Sequence, residues 1–259
     1  TAKYKEHFSI PVITSNRINT PEVAEEVLQN GDADMISMAR PFLADAEFVN
    51  KAAEGRSDEI NTCIGCNQAC LDHVFNGEMS SCLVNPRACF ETEINIVLTK
   101  TIKKIAVVGA GPAGLSASCA LAEAGHEVTL FDAASEVGGQ FNIAKQVPGK
   151  EEFNETIRYF SRQLALKGVT VQLNTRITAD ELNKSDFDEI IIATGINPRL
   201  PPIEGIEHSK VLNYIDVLKH KRPVGNKVAV IGAGGIGFDV SEYLVHSGTS
   251  TSQNIPAYM

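Results

Sequence analysis

The sequence of 259 residues lacks an excess of positive charge, a long hydrophobic run and an export signal. Its formal net charge of −9 argues against binding to nucleic acid or an anionic membrane, because either partner requires a basic face. No apolar stretch approaches the roughly 20 residues that a membrane-spanning helix needs. Residues Thr1 to His7 contain no apolar segment that would direct secretion, so we expect a cytoplasmic protein.

Disulfide bonds are not expected for the six cysteines, because cytosolic thiols stay reduced. The sequence begins without Met and ends in a polar stretch from Thr249 to Met259, which suggests an internal fragment of a longer protein. Its composition, 43% hydrophobic and 21% charged, is that of an ordinary globular protein with one large or two medium domains.

Hydrophobic periodicity and the position of the cysteines divide the chain into four zones, of which the second has little periodic structure and the others predict an α/β fold. The zones are residues 1–60, 61–98, 99–222 and 223–259. The first zone alternates strand and helix, with strands predicted at Ile10–Thr14 and Asp34–Met38, and the last opens with a predicted strand at Lys227–Ile231. Two short β-α units cannot complete a parallel sheet alone, so we expect their partner strands upstream of residue 1.

The second zone contains four cysteines with the spacing of an iron–sulfur or zinc site. They are Cys63, Cys66, Cys70 and Cys82. An iron–sulfur cluster needs thiolates that converge from a folded-back chain, and Gly65 allows the required turn. A zinc ion held by four cysteines is the alternative, in which Cys89 could form a looser pair with Cys82. Because zinc sites usually use two C-x2-C pairs, the spacing favours a 4Fe–4S cluster on the four cysteines.

A glycine-rich turn between a predicted strand, Lys104–Val108, and a predicted helix, Pro112–Ala124, indicates a dinucleotide site. Its glycines permit the tight turn, the approach of a pyrophosphate and the packing of the helix on the sheet. Phosphate would meet free N–H groups at the positive end of the helix. Asp132, at the end of the next predicted strand, is placed to accept hydrogen bonds from the ribose hydroxyls. The residues assigned to FAD here are Gly109, Gly111, Ala113, Gly114 and Asp132.

Two further segments favour FAD over NAD at this first turn. Gly139 and Gln140 belong to a second glycine-rich loop, and Thr194 with Gly195 ends a hydrophobic strand, as in flavoproteins with two dinucleotide domains. A similar glycine turn follows Lys227–Ile231 and predicts a second nucleotide, NADP or NAD. Its glycines are Gly232, Gly234 and Gly237. The choice between NADP and NAD stays open, because the region about 20 residues later offers neither a clear acid nor an arginine.

Three stretches resemble the iron–sulfur flavoenzymes of the old-yellow-enzyme and trimethylamine dehydrogenase type. They are Ser37–Asp45, the cysteine loop with Ser81–Arg87, and Gly109–Gly114. The resemblance implies the C-terminal end of a (β/α)8 barrel, then an iron–sulfur segment, then a Rossmann-like FAD/NAD(P)-binding fold. Phosphate sites of such barrels follow the last two strands. By this resemblance Asn16, Ala39 and Arg40 bind the phosphate of FMN.

The resemblance also implies a reaction in which electrons pass from NAD(P)H through FAD and a 4Fe–4S cluster to FMN and reduce a C=C bond. Family members that act on a 2,4-dienoyl-CoA thioester match best, because both nucleotide motifs are intact. A trimethylamine-type dehydrogenase and a zinc-stapled, non-enzymatic nucleotide-binding module are the alternatives. The family's Tyr and His for substrate protonation would lie upstream of residue 1. We therefore assign no catalytic residue, and expect the missing barrel and nucleotide-domain portions as partners besides an unsaturated acyl-CoA.

Overall fold

The computed structural model describes residues 1–252 and 254, and the chain divides into two compact units, Thr1–Val97 and Leu98–Met259. In the part of the chain that is described, no helix is both long and apolar enough to cross a bilayer.

The first unit is built around a two-stranded parallel sheet. Strand β1 (Ile13–Ser15) pairs with β2 (Met35–Ser37), so that Ile13 lies opposite Met35. Strand β2 lies within the predicted Asp34–Met38, whereas β1 shares only Ile13 and Thr14 with the predicted Ile10–Thr14 and ends one residue later. The helices of this unit are α1 (Ala2–Lys5), α2 (Pro21–Gln29), α3 (Arg40–Ala44), α4 (Phe48–Ala53), a 3-10 turn (Ser57–Glu59), a π-helical segment (Gln68–Asp72) and α5 (His73–Phe75).

Helix α4 is shorter than the helix Asp45–Glu54 that periodicity predicts. The Asp45 carboxylate accepts hydrogen bonds from the main-chain N–H of Glu47 at 3.0 Å, the N–H of Asn61 at 2.8 Å and the Lys51 ammonium at 2.6 Å. Asp45 is buried and extended, with φ −147° and ψ 106°. It therefore separates α3 from α4 instead of opening a single helix.

The second unit contains a four-stranded parallel sheet in the order β5-β4-β3-β6. The strands are β3 (Lys104–Val108), β4 (Glu127–Phe131), β5 (Thr170–Gln172) and β6 (Glu189–Ile192). Its helices are α6 (Pro112–Glu123), α7 (Phe141–Ala144), α8 (Phe153–Leu166), α9 (Ala179–Asn183), α10 (Tyr214–Leu218) and α11 (Gly235–Val245). Parallel strands joined through helices confirm the α/β class that the sequence predicts.

Alternate residues of β3 pack on opposite faces of this sheet, as the two-residue period of a strand requires. Ile105 and Val107 contact the core formed with helices α6 and α8, while Ala106 packs with Phe131 and Leu182 on the other side. Cys119 of α6 belongs to the first core and is 9% exposed. Burial raises its pKa to about 11, so Cys119 packs here as a small apolar residue.

The prediction of a strand at Lys227–Ile231 is wrong. None of the described residues pairs with this segment as a strand, and the side chain of Ile231 is 74% exposed. A β-strand exists only through hydrogen bonds to a neighbour, so an apolar β-type sequence without a partner stays irregular. The helix after it, α11, does form.

Candidate cofactor-binding sites

The three residues assigned to FMN phosphate lie together at one edge of the first sheet. Asn16 follows β1, whereas Ala39 and Arg40 follow β2, and the carboxyl ends of parallel strands are neighbours. One end of the Arg40 guanidinium donates to Oδ1 of Asn16 at 3.3 Å. Asn16 has φ +80°, a left-handed conformation that asparagine tolerates better than most residues with a side chain. The arrangement offers an arginine fork beside a tight turn, which suits a phosphate group.

The four candidate cluster ligands line one pocket of the first unit. It is lined by Cys63, Cys66, Cys70 and Cys82, with Arg40, Leu43, Ile64, Asn67, Ala69, Leu83 and Val84. Cys89 is exposed and is not part of this lining. The donor chemistry, four thiols around a largely apolar pocket, fits an iron–sulfur cluster. Among the described residues, no set of three or more His, Cys, Asp or Glu is arranged for a single metal ion.

The environment of the sulfurs contains both charges and main-chain donors. Burial raises the pKa of the Cys63 thiol, and the neighbouring thiols of Cys66 and Cys70 raise it further. The N–H of Gly65 and the positive charge of Arg40 lower this pKa. Burial likewise raises the pKa of the Cys82 thiol.

Main-chain N–H groups also point at the Cys82 sulfur. The N–H groups of Val84 and Asn85 donate to it and lower the pKa of this thiol against the effect of burial. Hydrogen bonds of this kind to sulfur tune the reduction potential of bound clusters.

Side-chain amides hold the cysteine segment in place: two bonds join it to residues 1–60, and a third joins two parts of the segment itself. These bonds, from an Asn side chain to a main-chain carbonyl, are Asn19 to Cys63 (3.1 Å), Asn61 to Val84 (2.8 Å) and Asn85 to Leu43 (2.8 Å). Sequence reasoning does not find these asparagines, because none belongs to a recognisable spacing pattern. They fix the main chain on both sides of the pocket, and so they orient the ligands indirectly.

Two further residues that sequence reasoning missed lie against the cysteine loop. Asn67, between Cys66 and Cys70, has φ +60°, and its side-chain oxygen accepts a hydrogen bond from Arg40. Arg17 approaches Gly65 so closely that a Cβ at residue 65 would lie 2.4 Å from Nη1 of Arg17. The cysteine loop therefore contacts two arginines, Arg17 in the loop after β1 and Arg40 at the start of α3.

In the second unit the glycine turn after β3 is closely packed. Gly109 has φ +110°, and a Cβ there would lie 2.3 Å from the carbonyl oxygen of Ala193. A Cβ on Gly114 would lie 1.8 Å from the carbonyl oxygen of Gly109. Gly111 precedes α6, whose first internal hydrogen bond runs from the N–H of Leu115 to Gly111. The N–H groups of Ala113 and Gly114 thus lie at the positive end of a 12-residue helix.

The other segments assigned to FAD converge on this turn. The N–H of Gly138 donates to the carbonyl of Ala110 at 2.8 Å, and a Cβ on Gly139 would lie 2.8 Å from Cα of Gly111. Thr194 and Gly195 directly follow Ala193, which contacts Gly109. Gln140 caps α7 and accepts a hydrogen bond from the Tyr214 hydroxyl at 3.3 Å.

Asp132 has a structural task in addition to the predicted contact with ribose. Its two carboxylate oxygens accept hydrogen bonds from the N–H of Ala110 at 2.6 Å and the N–H of Ala134 at 2.7 Å. The carboxylate therefore joins the glycine turn to the loop after β4. Each oxygen keeps a lone pair for a further donor, so a ribose hydroxyl can still be accepted.

The second glycine turn repeats the local geometry of the first. Gly232 has φ +114°, Gly234 precedes α11, and a Cβ on Gly237 would lie 2.1 Å from the carbonyl oxygen of Gly232. The turn and helix form although the preceding segment is not a strand. The region that would separate NADPH from NADH, about 20 residues later, falls largely outside the described residues.

Two family models cover most of the chain. Residues 103–252 match the pyridine nucleotide-disulphide oxidoreductase family, and residues 1–59 match the NADH:flavin oxidoreductase / NADH oxidase family. These matches agree with the predicted barrel end followed by a Rossmann-like domain.

Similar proteins include several reductases. A metal reductase of Desulforamulus reducens is 40% identical over 97% of this chain and 38% of its own length. A cinnamate reductase of Clostridium sporogenes is 34% identical over 94% of this chain and 36% of its own length. A solved 2-naphthoyl-CoA reductase complex superposes with a TM-score of 0.89 at 37% identity, covering 93% of this chain and 37% of that chain. The chain thus spans less than two fifths of the length of these relatives.

Proposed function

From the premise that this chain belongs to the pyridine nucleotide-disulphide oxidoreductase family, we propose that it is part of an NAD(P)H-dependent iron–sulfur flavoprotein that reduces a C=C bond. In the proposed path, electrons pass from NAD(P)H through FAD and a 4Fe–4S cluster to FMN. The observation that carries the proposal is the pocket lined by four cysteines, to which Arg40 of the proposed FMN-phosphate loop also contributes.

The spacing of the cysteines in this pocket supports a cluster over a zinc ion. Structural zinc sites usually take their cysteines as two closely spaced pairs. Iron–sulfur clusters are also bound by three closely spaced cysteines and a distant fourth. Cys63, Cys66 and Cys70 with the distant Cys82, all lining one pocket, suit the second arrangement.

The residues of this chain then have distinct tasks. When bound, the flavins supply two-electron chemistry and the cluster supplies one-electron transfer. Arg40 and Asn16 bind and orient the phosphate end of FMN. The first turn of α6 and the loop at Gly139 hold the pyrophosphate of FAD. The second turn, at Gly232, holds the nicotinamide nucleotide.

The proposed substrate is a conjugated acyl compound, and more specifically a 2,4-dienoyl-CoA thioester. Two similar proteins are named for cinnamate and 2-naphthoyl-CoA, both of which have unsaturation conjugated to a carboxyl or thioester carbonyl. Bound FMN would supply the hydride chemistry, and conjugation would favour reduction of the C=C bond because the carbonyl can accept the developing negative charge. Intact glycine turns for both nucleotides support reduction at the expense of NAD(P)H.

The test uses the full-length protein purified without oxygen. We expect bound FAD and FMN, with iron and acid-labile sulfide near four per chain, the composition of one cubane cluster. We also expect oxidation of NADPH or NADH that depends on a 2,4-dienoyl-CoA. Colourless protein with one zinc would contradict the cluster. Activity with cinnamate but not with dienoyl-CoA would contradict the thioester assignment, and flavin reduction by trimethylamine alone would support the amine dehydrogenase alternative.

A further inference from the structure

Arg40 contacts two loops of the first unit that the proposed function gives to different cofactors. Through one nitrogen, Nη2, it donates to Asn16 in the loop after β1, at 3.3 Å. Through the other, Nη1, it donates to the side chain of Asn67 in the cysteine loop. The same arginine lines the pocket of the four cysteines, and its charge acts on the Cys63 sulfur.

Asn67 is placed to control this contact. It lies between Cys66 and Cys70 and has φ +60°, directly before the π-helical segment that contains Cys70. Its side chain is half-buried and its amide oxygen accepts from Arg40. Glycine and asparagine adopt this left-handed conformation most readily, but glycine has no side chain to accept the hydrogen bond. The presence of asparagine is thus explained by the hydrogen bond in addition to the backbone conformation.

We propose that Asn67 is a positioning residue that holds Arg40 between the FMN phosphate and the cluster, so that FMN binding changes the reduction potential of the cluster. This inference rests on the proposed function. A guanidinium near the cluster stabilises the reduced form, which carries one more negative charge, and therefore raises the potential. A phosphate on the other side of the guanidinium neutralises part of that charge and lowers the potential.

The experiment compares the full-length protein with and without its FMN. The readouts are the midpoint potential and the electron paramagnetic resonance spectrum of the cluster, with iron content measured on the same samples. In the wild type we expect removal of FMN to raise the midpoint potential. In Asn67→Gly, which keeps the left-handed backbone and loses the acceptor, we expect most of that shift to be lost. An Asn67→Gly protein with the full wild-type shift would overturn the inference.

A matched control and a second variant make the result specific. Asn174 has φ +53° in the second unit, so Asn174→Gly makes the same chemical change away from the cysteine pocket and should keep the wild-type shift. Loss of the shift in this control as well would overturn the inference. Asn67→Asp keeps an acceptor but adds a charge that competes with phosphate for Arg40, and it should weaken FMN binding several-fold. Unchanged FMN affinity in Asn67→Asp would also overturn it.

Failure of the inference can be told apart from failure of the proposed function. Wild-type protein without iron or without FMN would overturn the proposed function, and the inference with it. Wild-type protein that binds both cofactors, with a cluster potential indifferent to FMN, would overturn the inference alone.

Discussion

Two cysteines of the second zone, Cys70 and Cys89, differ in the surroundings of their sulfur atoms. Cys70 lines the shared pocket, while Cys89 is exposed outside it. We expect Cys70→Ser in the full-length protein to lose most of its iron, because a serine oxygen is a poor substitute for a soft thiolate ligand. Cys89→Ser should keep wild-type iron and sulfide per chain after anaerobic purification. Equal loss in both variants would show that the ligand set is misassigned.

At the scale of residues, spacing predicts the cysteines but not their supports. The interval Cys63-x2-Cys66-x3-Cys70 is visible in the sequence because ligands of one loop must be close along the chain. Asn19 and Asn85 lie 44 and 42 residues from the carbonyls that they contact. Such bonds depend on how the chain folds back, and an isolated asparagine carries no signal of them. The left-handed Asn67 is likewise invisible before its φ is known.

At the scale of elements, the contact between two glycine loops makes a selective test of the FAD site. Gly139 has φ +52°, and a Cβ there would lie 2.8 Å from Cα of Gly111. Backbone atoms cannot move aside cheaply, so Gly139→Ala should displace the turn that receives the pyrophosphate. We expect the full-length variant to retain little FAD after gel filtration while its FMN content stays at the wild-type level.

Gly149 provides the control for this change. It has φ +85°, but a Cβ there would meet nothing within 4 Å. Gly149→Ala therefore introduces the left-handed strain alone, which costs about 1 kcal/mol, and should keep its FAD. If both variants lose FAD equally, backbone strain and not the contact between the loops explains the effect.

The buried carboxylate of Asp45 joins α3, α4 and the start of the cysteine segment. It is 6% exposed and accepts hydrogen bonds from Lys51 and from the N–H groups of Glu47 and Asn61. Asp45→Ala leaves these donors without their acceptor, and we expect it to lower the free energy of unfolding by about 2–4 kcal/mol. Urea titration followed by circular dichroism measures the change.

An exposed ion pair of the same unit serves as the control for Asp45. Glu54 contacts Arg56 at 2.5 Å, but the two side chains are 59% and 40% exposed. Surface ion pairs contribute little to the free energy of unfolding because water screens the charges. Glu54→Ala should therefore leave the unfolding midpoint almost unchanged. A similar midpoint for Asp45→Ala and Glu54→Ala would refute the structural role of Asp45.

The elements themselves were predictable to different extents. Periodicity locates β3 and β4 because their apolar residues are buried on both faces of a sheet whose partner strands are present. It fails at Lys227–Ile231, where the same kind of sequence has no partner among the described strands. It also fails at Asp45, where a side chain that accepts three hydrogen bonds ends one helix before the next begins.

At the scale of the whole molecule, the class of fold follows from the order of local signals. Each glycine turn lies before a helix, and the family matches place a flavin barrel end ahead of them. The substrate does not follow from these signals. The groups that contact a substrate depend on the shape of the whole active site. This chain spans less than two fifths of the length of its relatives.

The second glycine turn allows electron entry to be separated from the later steps. A Cβ on Gly237 would lie 2.1 Å from the carbonyl oxygen of Gly232, so Gly237→Ala must distort the turn, whereas a Cβ on Gly235 in the same helix meets nothing within 4 Å. In the full-length protein we expect Gly237→Ala to slow flavin reduction by NADPH and NADH at least 100-fold, a loss of about 3 kcal/mol in transition-state stabilisation. In Gly235→Ala, NADPH and NADH should reduce the flavin at the wild-type rate.

Chemical reduction provides the decisive comparison for these two variants. Dithionite needs no nucleotide site, so it should reduce the flavins and the cluster of Gly237→Ala as completely as those of the wild type. FAD content should also be unchanged, because the first turn at Gly109 lies on a different strand and helix. Stopped-flow absorbance measures both reductions on one preparation. Normal reduction of Gly237→Ala by nicotinamide nucleotides would show that electrons do not enter at the second turn.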